Sequence, residues 1–172
     1  MNLQDDDFTL LGLPQQFALD RPALEQQWRA LQAQVHPDRF ASQGKAAQRV
    51  AMQWAVRVNE AFQRLRDPLT RAQYLCELRG ASLNAESNTA MPASFLMQQM
   101  AWREALDEAT SQSELEALDD TVSAAERQLM QELGRLLDEQ DDAQAAAQQV
   151  RALMFVNRFR IDLGRRLETF ET

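Results

Sequence analysis

Apolar residues recur every three or four positions along most of this chain, which is the spacing of one face of an α-helix. In residues 1–80 the pattern predicts two long amphipathic helices that pack antiparallel across a short loop. The first begins after the favourable N-cap Asp20, and Pro37 ends it because proline disfavours helical backbone at the preceding residue. Their apolar stripes are Leu24, Trp28, Leu31 and Val35 in the first helix and Val50, Trp54, Val58, Ala61, Phe62 and Leu65 in the second.

Shorter helices flank this pair. One is predicted at residues 8–14, and another runs from Leu69 to Leu78. After Gly80 the helical period is lost and Ser, Asn, Thr and Ala dominate, which is typical of a linker. We therefore predict a first domain at residues 1–79, a linker at 80–91 and a second domain at 92–172.

The second domain is expected to form three helices. The first covers residues 92–110, Ser111 or Ser113 can cap the second, and the third covers about 143–170. The whole chain has only five Gly and five Pro in 172 residues, so tight turns are few and strand-rich folds are disfavoured. The predicted fold class is all-α, with an antiparallel helical hairpin followed by a three-helix bundle.

The first helix of the second domain carries two apolar faces. At about 100° per residue, Leu96, Met97 and Met100 lie about 150° from the stripe that suits the bundle core. That core stripe consists of Phe95, Gln99, Trp102, Leu106 and Ala109. The other set either packs on the first domain or forms an exposed protein-binding patch. Phe155, off the apolar stripe of the third helix, joins this patch if that helix packs beside the first.

Residue counts exclude several kinds of chemistry. Cys76 is the only cysteine, so an intramolecular disulfide and a thiolate metal cluster are excluded. His36 is the only histidine, so a zinc site or a Ser-His-Asp arrangement would have to be built around it alone. We expect no metal, no cofactor and no catalytic residue. Acidic pairs near residues 119 and 138–142 are assigned to solvated helix ends. Cys76 and the three tryptophans, Trp28, Trp54 and Trp102, are assigned to the core.

Charge is divided unevenly along the chain. Residues 1–80 carry ten Arg or Lys against nine Asp or Glu, and residues 81–172 carry eight against seventeen, so net charges of +1 and −9 sum to −8. The acidic half repels phosphates, so nucleic-acid binding is not expected. The N-terminus lacks the pattern of a secretory or transit signal, and no apolar run is long enough to span a membrane. A cytoplasmic monomer without a membrane anchor is expected.

The tripeptide His36-Pro37-Asp38 is the strongest candidate for function. It opens the loop between the two long helices, where Pro37 fixes the turn and leaves both neighbours displayed to solvent. A histidine at a helix end can also be a simple cap. The segments around the tripeptide separate these two interpretations.

In its context the tripeptide resembles the signature of the J-domain, by which DnaJ-type co-chaperones contact DnaK-type ATPase chaperones. The resemblance extends over essentially the whole chain to the HscB family, the J-domain co-chaperones of bacterial iron–sulfur cluster assembly. The segments that carry it are DFTLLGLP at 7–14, VHPDRFAS at 35–42, LTRAQYL at 69–75, FLM at 95–97 and REALDE at 103–108. The partners that this resemblance implies are the chaperone HscA and the cluster scaffold IscU.

The resemblance implies two binding sites on one non-enzymatic co-chaperone. The chaperone site comprises His36, Pro37, Asp38 and Arg39, and Arg29 and Arg39 supply electrostatic attraction. The scaffold site comprises Leu96, Met97, Met100, Arg103, Glu104 and Phe155. Two alternatives stay open: a J-domain adaptor for a different client, and a structural helical adaptor in which the tripeptide is a coincidental cap. An acid–base enzyme is disfavoured because the sequence offers no convergent polar set.

Some residues depart from the family's pattern. They are Asp7 in place of a common tyrosine, Val35 in place of an aromatic residue, and Ala101 in place of an acidic one. Local packing is expected to differ at the first two, and one polar contact is removed at the third. In the helix before the tripeptide, Arg21 and Arg29 face Asp20 and Glu25, so modest affinity for the chaperone is expected.

Overall fold

Regular structure in this chain is helical. The computed structural model describes residues 1–83 and 91–171, and within those ranges every regular element is a helix. In chain order the elements are α1 (Asp7–Leu10), α2 (Arg21–Val35), a 3-10 helix (Pro37–Gln43), α3 (Lys45–Arg66), α4 (Pro68–Leu78), α5 (Ala93–Glu108), α6 (Gln112–Gly134), a π-helical turn (Arg135–Glu139) and α7 (Ala143–Glu171). The predicted all-α class is confirmed.

Two compact units make up the chain, Met1–Leu75 and Cys76–Thr172. The structural boundary therefore falls within α4, a few residues before the predicted linker at 80–91. Most of that linker lies outside the described residues. The limits of the functional domains stay a prediction.

The residues that follow α4 are held by the second unit. Arg79 Nη1 donates to the Leu137 carbonyl at 2.6 Å, and Arg151 Nη2 donates to the Leu83 carbonyl at 2.6 Å. Gly80 lies between these anchors with φ of 81°, a left-handed conformation that glycine adopts without strain. These bonds explain why the second unit begins before the segment whose sequence is typical of a linker.

Helices α2 and α3 form the antiparallel pair at the centre of the first unit. The Trp28 and Phe62 rings stack with centroids 4.4 Å apart, and Gln32 Nε2 donates to the Ala55 carbonyl at 3.2 Å nearer the other end of the pair. Asp20 caps α2 as predicted, because its Oδ1 accepts from the Ala23 amide at 3.4 Å. The apolar side chains that are fully buried in this pair are Leu24, Val58, Ala61 and Leu65.

Part of the predicted apolar stripe lies at the surface. Val50 is exposed rather than buried, and Trp28 and Trp54 are half-buried rather than core residues. Helix α2 ends at Val35, so the first turns of α3 extend beyond it and have mainly the 3-10 helix beside them. Periodicity identifies the correct face of α3 but not the length over which a partner covers it.

A buried carboxylate ties α1 to the rest of the first unit. Asp7 is fully buried, and its Oδ1 accepts from Arg57 Nη1 at 2.7 Å. Arg64 Nη1 lies 3.3 Å from Oδ2 and adds charge without an aligned hydrogen bond. The Asp7 amide donates to the Tyr74 hydroxyl at 3.0 Å. The departure from tyrosine at this position thus places an ion pair where α1, α3 and α4 meet.

The N-terminus of α1 is capped by a second carboxylate. The side chain of Asp6 accepts from the amides of Phe8 and Thr9 at 3.0 and 3.1 Å. Burial acts against its charge, but these bonds and one from the Thr9 hydroxyl together hold the pKa of Asp6 below its usual value. The capped turn keeps the neighbouring Asp7 carboxylate aimed at Arg57.

The second unit contains the predicted three-helix bundle of α5, α6 and α7. Ser111 caps α6 in a reciprocal capping box with Glu114. Arg160 of α7 pairs with Glu126 of α6, which links these two antiparallel helices. The buried core consists of Trp102, Leu106, Ala109, Leu115, Leu118, Val122, Val156, Phe159 and Leu163.

We predict that Asp7→Asn destabilises the protein by about 3 kcal/mol, because the partly buried Arg57 would lose its charge partner. Urea unfolding measures the change. Glu60→Gln is the matched control, since this exposed carboxylate lies on α3 of the same unit. Equal unfolding midpoints for the two variants would contradict the importance of the buried pair.

Candidate functional site

The His36-Pro37-Asp38 turn projects from the junction of α2 and the 3-10 helix. His36 has φ and ψ of −59° and 128°, which ends α2, and Pro37 begins the 3-10 helix. The His36 Nδ1 accepts from the Asp38 amide at 3.3 Å and lies 3.7 Å from Asp38 Oδ2. The side chains of His36 and Asp38 are nevertheless 57% and 92% exposed. A self-contained turn therefore displays both side chains to a partner.

Arg39 closes the turn back onto α2. Its backbone amide donates to the His36 carbonyl at 3.0 Å, and its Nη1 donates to the Ala33 carbonyl at 3.1 Å. A guanidinium beside the last carbonyls of a helix also opposes the negative end of the helix dipole. Arg39 is therefore a structural cap as well as a candidate contact residue.

The arginines of α2 differ from their predicted pairing. Arg21 forms an exposed ion pair with Glu25, with 3.5 Å between Nε and Oε1, as predicted. Arg29 is exposed and has no carboxylate partner among the described residues. Asp20 is engaged instead by the Ala23 amide as the helix cap. The expectation that both arginines are neutralised is wrong for Arg29, which leaves its charge available on the same helix as the turn.

The two predicted faces of α5 are separated in the structure. Trp102 and Leu106 are buried in the bundle, whereas Leu96, Met97 and Met100 are exposed. Within the second unit, the bundle core therefore does not bury this second set. Flexible, polarisable methionine side chains at a surface are typical of sites that bind other proteins.

Phe155 of α7 contacts α5 through Phe95, a residue of the predicted core stripe. Its ring meets Phe95 edge-to-face with centroids 6.2 Å apart, and it remains 46% exposed. The condition set by the sequence, that the third helix packs beside the first, is met. We call Leu96, Met97, Met100 and Phe155 the apolar patch.

Polar residues stand next to the apolar patch. Arg103 Nη1 is bound to Asp162 Oδ2 at 3.0 Å, and its guanidinium lies 5.2 Å from the centre of the Phe159 ring. Arg103 therefore links α5 to α7 as well as bordering the patch. Glu104 and Ala101 are exposed on the same helix.

Other chemically active groups are accounted for by structure. Burial raises the pKa of the Cys76 thiol to about 11, so this side chain is a core residue with little thiolate at neutral pH. Asp142 caps α7 by accepting from the Ala145 amide at 3.1 Å. Among residues 1–83 and 91–171, no cluster of three or more His, Cys, Asp or Glu side chains is placed to hold a metal ion. No helix in the same ranges is long and apolar enough to cross a membrane.

Comparison with known proteins identifies the family to which the chain belongs. The family model described as "HSCB C-terminal oligomerisation domain" matches residues 91–164. The chain is 55% identical over 161 residues to the co-chaperone protein HscB homolog of Bordetella petrii, which covers 93% of this chain and 95% of that protein. The chain belongs to the HscB family of co-chaperones. In this family, J-domain and C-terminal helical domain occur in the order observed here.

Solved structures extend the family resemblance to the fold. Chaperone HscB from Vibrio cholerae matches with a TM-score of 0.82 and 36% identity, over 96% of this chain and 99% of that chain. The human co-chaperone protein HscB matches with a TM-score of 0.87 over 95% of this chain and 83% of that chain, and at 24% identity it supports the fold alone. The HscB assignment therefore applies to both units.

We predict that Leu96→Ala combined with Met97→Ala changes the free energy of unfolding by less than about 1 kcal/mol, since neither side chain leaves a cavity in the core. Leu106→Ala is the matched control on the same helix and should cost about 2–5 kcal/mol. Urea titrations of the three proteins give both values. A loss in the double variant as large as that of Leu106→Ala would show that the patch is packing.

Proposed function

We propose that this HscB-family protein stimulates the ATPase of a DnaK-type chaperone, HscA, and delivers the iron–sulfur scaffold IscU to it. The observation that supports this most strongly is the His36-Pro37-Asp38 turn, held by its own hydrogen bonds with two exposed side chains. A coincidental helix cap has no need to expose Asp38 so fully. The proposal gives the first unit the role of an activator.

The activation needs no bond-making by this chain. A partner with two conformations shifts toward the one that contacts His36 and Asp38 better, and the hydrolysing conformation of the chaperone is the one selected. Arg29 and Arg39 add positive charge near the turn, which speeds encounter with an acidic surface. We therefore propose a non-enzymatic role, and we further propose that the protein acts without a cofactor, in the cytoplasm and as a monomer.

The scaffold is assigned to the apolar patch with Arg103 and Glu104 at its edge. The exposed side chains of the patch offer apolar area that a partner can remove from water. Glu104 has no hydrogen bond or ion pair within the described residues, so it is available to a polar group of the scaffold. Arg103 already binds Asp162 and would keep that bond while meeting a carboxylate through its other nitrogens.

Carrying both sites on one chain makes the protein a delivery factor. Once the scaffold is bound to the second unit, the chaperone held by the first meets it at a raised effective concentration. Neither partner needs to bind the other tightly beforehand. This coupling supports maturation of iron–sulfur proteins.

We predict that His36→Gln abolishes stimulation of HscA ATPase and leaves the unfolding transition unchanged. The substituted side chain is in an exposed turn, so its loss opens no cavity. Steady-state phosphate release, with and without the variant, measures the effect. Normal stimulation by a folded variant would contradict the activator role.

We predict separately that the Leu96→Ala and Met97→Ala double variant binds IscU at least tenfold more weakly, as expected when interface anchors are truncated. Phe155→Ala should act in the same direction. Ile161→Ala is the matched control, since this α7 residue is 52% exposed, close to the 46% of Phe155, and lies on another side of the helix. Calorimetry against purified scaffold gives the affinities.

The ATPase and calorimetry results also test whether IscU is the protein that this co-chaperone delivers. If the wild-type protein stimulates HscA but shows no heat with IscU, the first unit is a J-domain that serves a different client. If all variants bind IscU like wild type, the scaffold site is on another face of the bundle.

A further inference from the structure

A groove of about 570 Å³ lies in the first unit immediately beside the His36-Asp38 turn. Val35, the residue before the turn, forms one wall, and Phe40 of the 3-10 helix forms another. The third side is the first three turns of α3, from Ala46 to Trp54. The groove is therefore continuous with the turn that we assign to the chaperone.

Small residues of α3 give the groove its depth. Ala46, Ala47 and Ala51 lie on one face of the helix and leave space that larger side chains would fill. Val50 and Trp54 lie on the same face and present apolar surface at its edges. Met1, Gln34 and Gln43 complete the lining, so the N-terminal ammonium of Met1 is the one charged group among these residues and most of the lining is apolar.

The groove accounts for the side chains that the helical pair leaves uncovered. Val50 is exposed and Trp54 is half-buried, although both occur in the apolar stripe of α3. Apolar groups in a concave surface gain more from a matching partner than apolar groups scattered over a convex one, because more of their area is removed from water.

We propose that this groove receives an apolar side chain of the DnaK-type chaperone that contacts the turn. The inference rests on the proposed function and adds a second contact beside His36 and Asp38. We assign the chaperone as occupant because the groove adjoins the turn. Val35 and Phe40 flank the turn and line the groove, so a partner that contacts both His36 and Asp38 also reaches the groove. The predominantly apolar lining favours an apolar group.

The turn and the groove should contribute differently to recognition of the chaperone. The turn offers directional polar groups suited to distinguishing two conformations of the chaperone, whereas the groove offers apolar area that is not directional. The groove should therefore set how tightly the chaperone binds, and the turn should set how much its ATPase is accelerated.

Val50 and Val56 provide a matched pair for the test. Both lie on α3 and both are 51% exposed, but only Val50 lines the groove. Val50→Gln should raise the concentration needed for half-maximal ATPase stimulation about fivefold or more, with the maximal rate unchanged, while Val56→Gln behaves as wild type. Ala46→Phe, which fills the groove from an exposed position, should have the same effect as Val50→Gln.

A crosslinking measurement gives an independent reading. A photoreactive benzoylphenylalanine at Val50 should crosslink to the chaperone, and the same group at Val56 should not. Equal titration curves for Val50→Gln, Ala46→Phe and Val56→Gln would overturn the proposal. A crosslink from Val50 to a second copy of this chain instead of the chaperone would also overturn it.

His36→Gln separates this inference from the proposed function. If that variant loses stimulation while the groove variants match Val56→Gln, the activator role stands and the groove contact is wrong. If His36→Gln stimulates normally, the activator role itself is wrong. Thermal melts of each variant identify any that fail to fold, and Ala46→Phe decides the question should Val50→Gln be one of them.

Discussion

The backbone restriction that Pro37 places on His36 governs the first unit. Because the residue before a proline avoids helical conformation, α2 ends at Val35 and His36 takes a ψ of 128°. The chain then reverses through the 3-10 helix, and α3 begins at a point where α2 no longer lies beside it. That one restriction exposes the His36 and Asp38 side chains and leaves the apolar groove next to them. The proposed chaperone site therefore follows from the position at which α2 ends.

In the second unit, exposed apolar surface arises because α5 has more apolar residues than the bundle core buries. One face of α5 packs Trp102 and Leu106 into the core, and the opposite side carries Leu96 and Met97 in solvent. Phe155 of α7 is a further exposed apolar side chain of this unit, and its ring lies against Phe95 of α5. Core residues and the proposed binding site therefore lie on the same helix, and we expect a substitution to be able to affect one without the other.

Helix caps and helix faces could be predicted from local sequence signals. Contacts between distant residues and the extent of helix packing could not, because they depend on the tertiary structure. Asp20 and Ser111 cap helices as the sequence predicts, because capping depends on residues three positions away. The buried pair of Asp7 with Arg57 joins residues 50 positions apart, and no periodic pattern reports such a contact. Val50 follows the apolar period yet is exposed, since the period cannot show how far α2 extends along α3. The two faces of α5 were recognisable because their phases differ by nearly half a turn.

The central claim is that the two sites act separately on one chain, and a double-mutant cycle on the chaperone's ATPase tests it most directly. Rates are measured with His36→Gln, with Leu96→Ala and Met97→Ala together, and with all three changes, each with and without scaffold. The account predicts that the patch variant keeps full stimulation without scaffold but loses the extra stimulation that scaffold adds, and that every protein carrying His36→Gln is inactive. Loss of scaffold-free stimulation in a folded patch variant would contradict it.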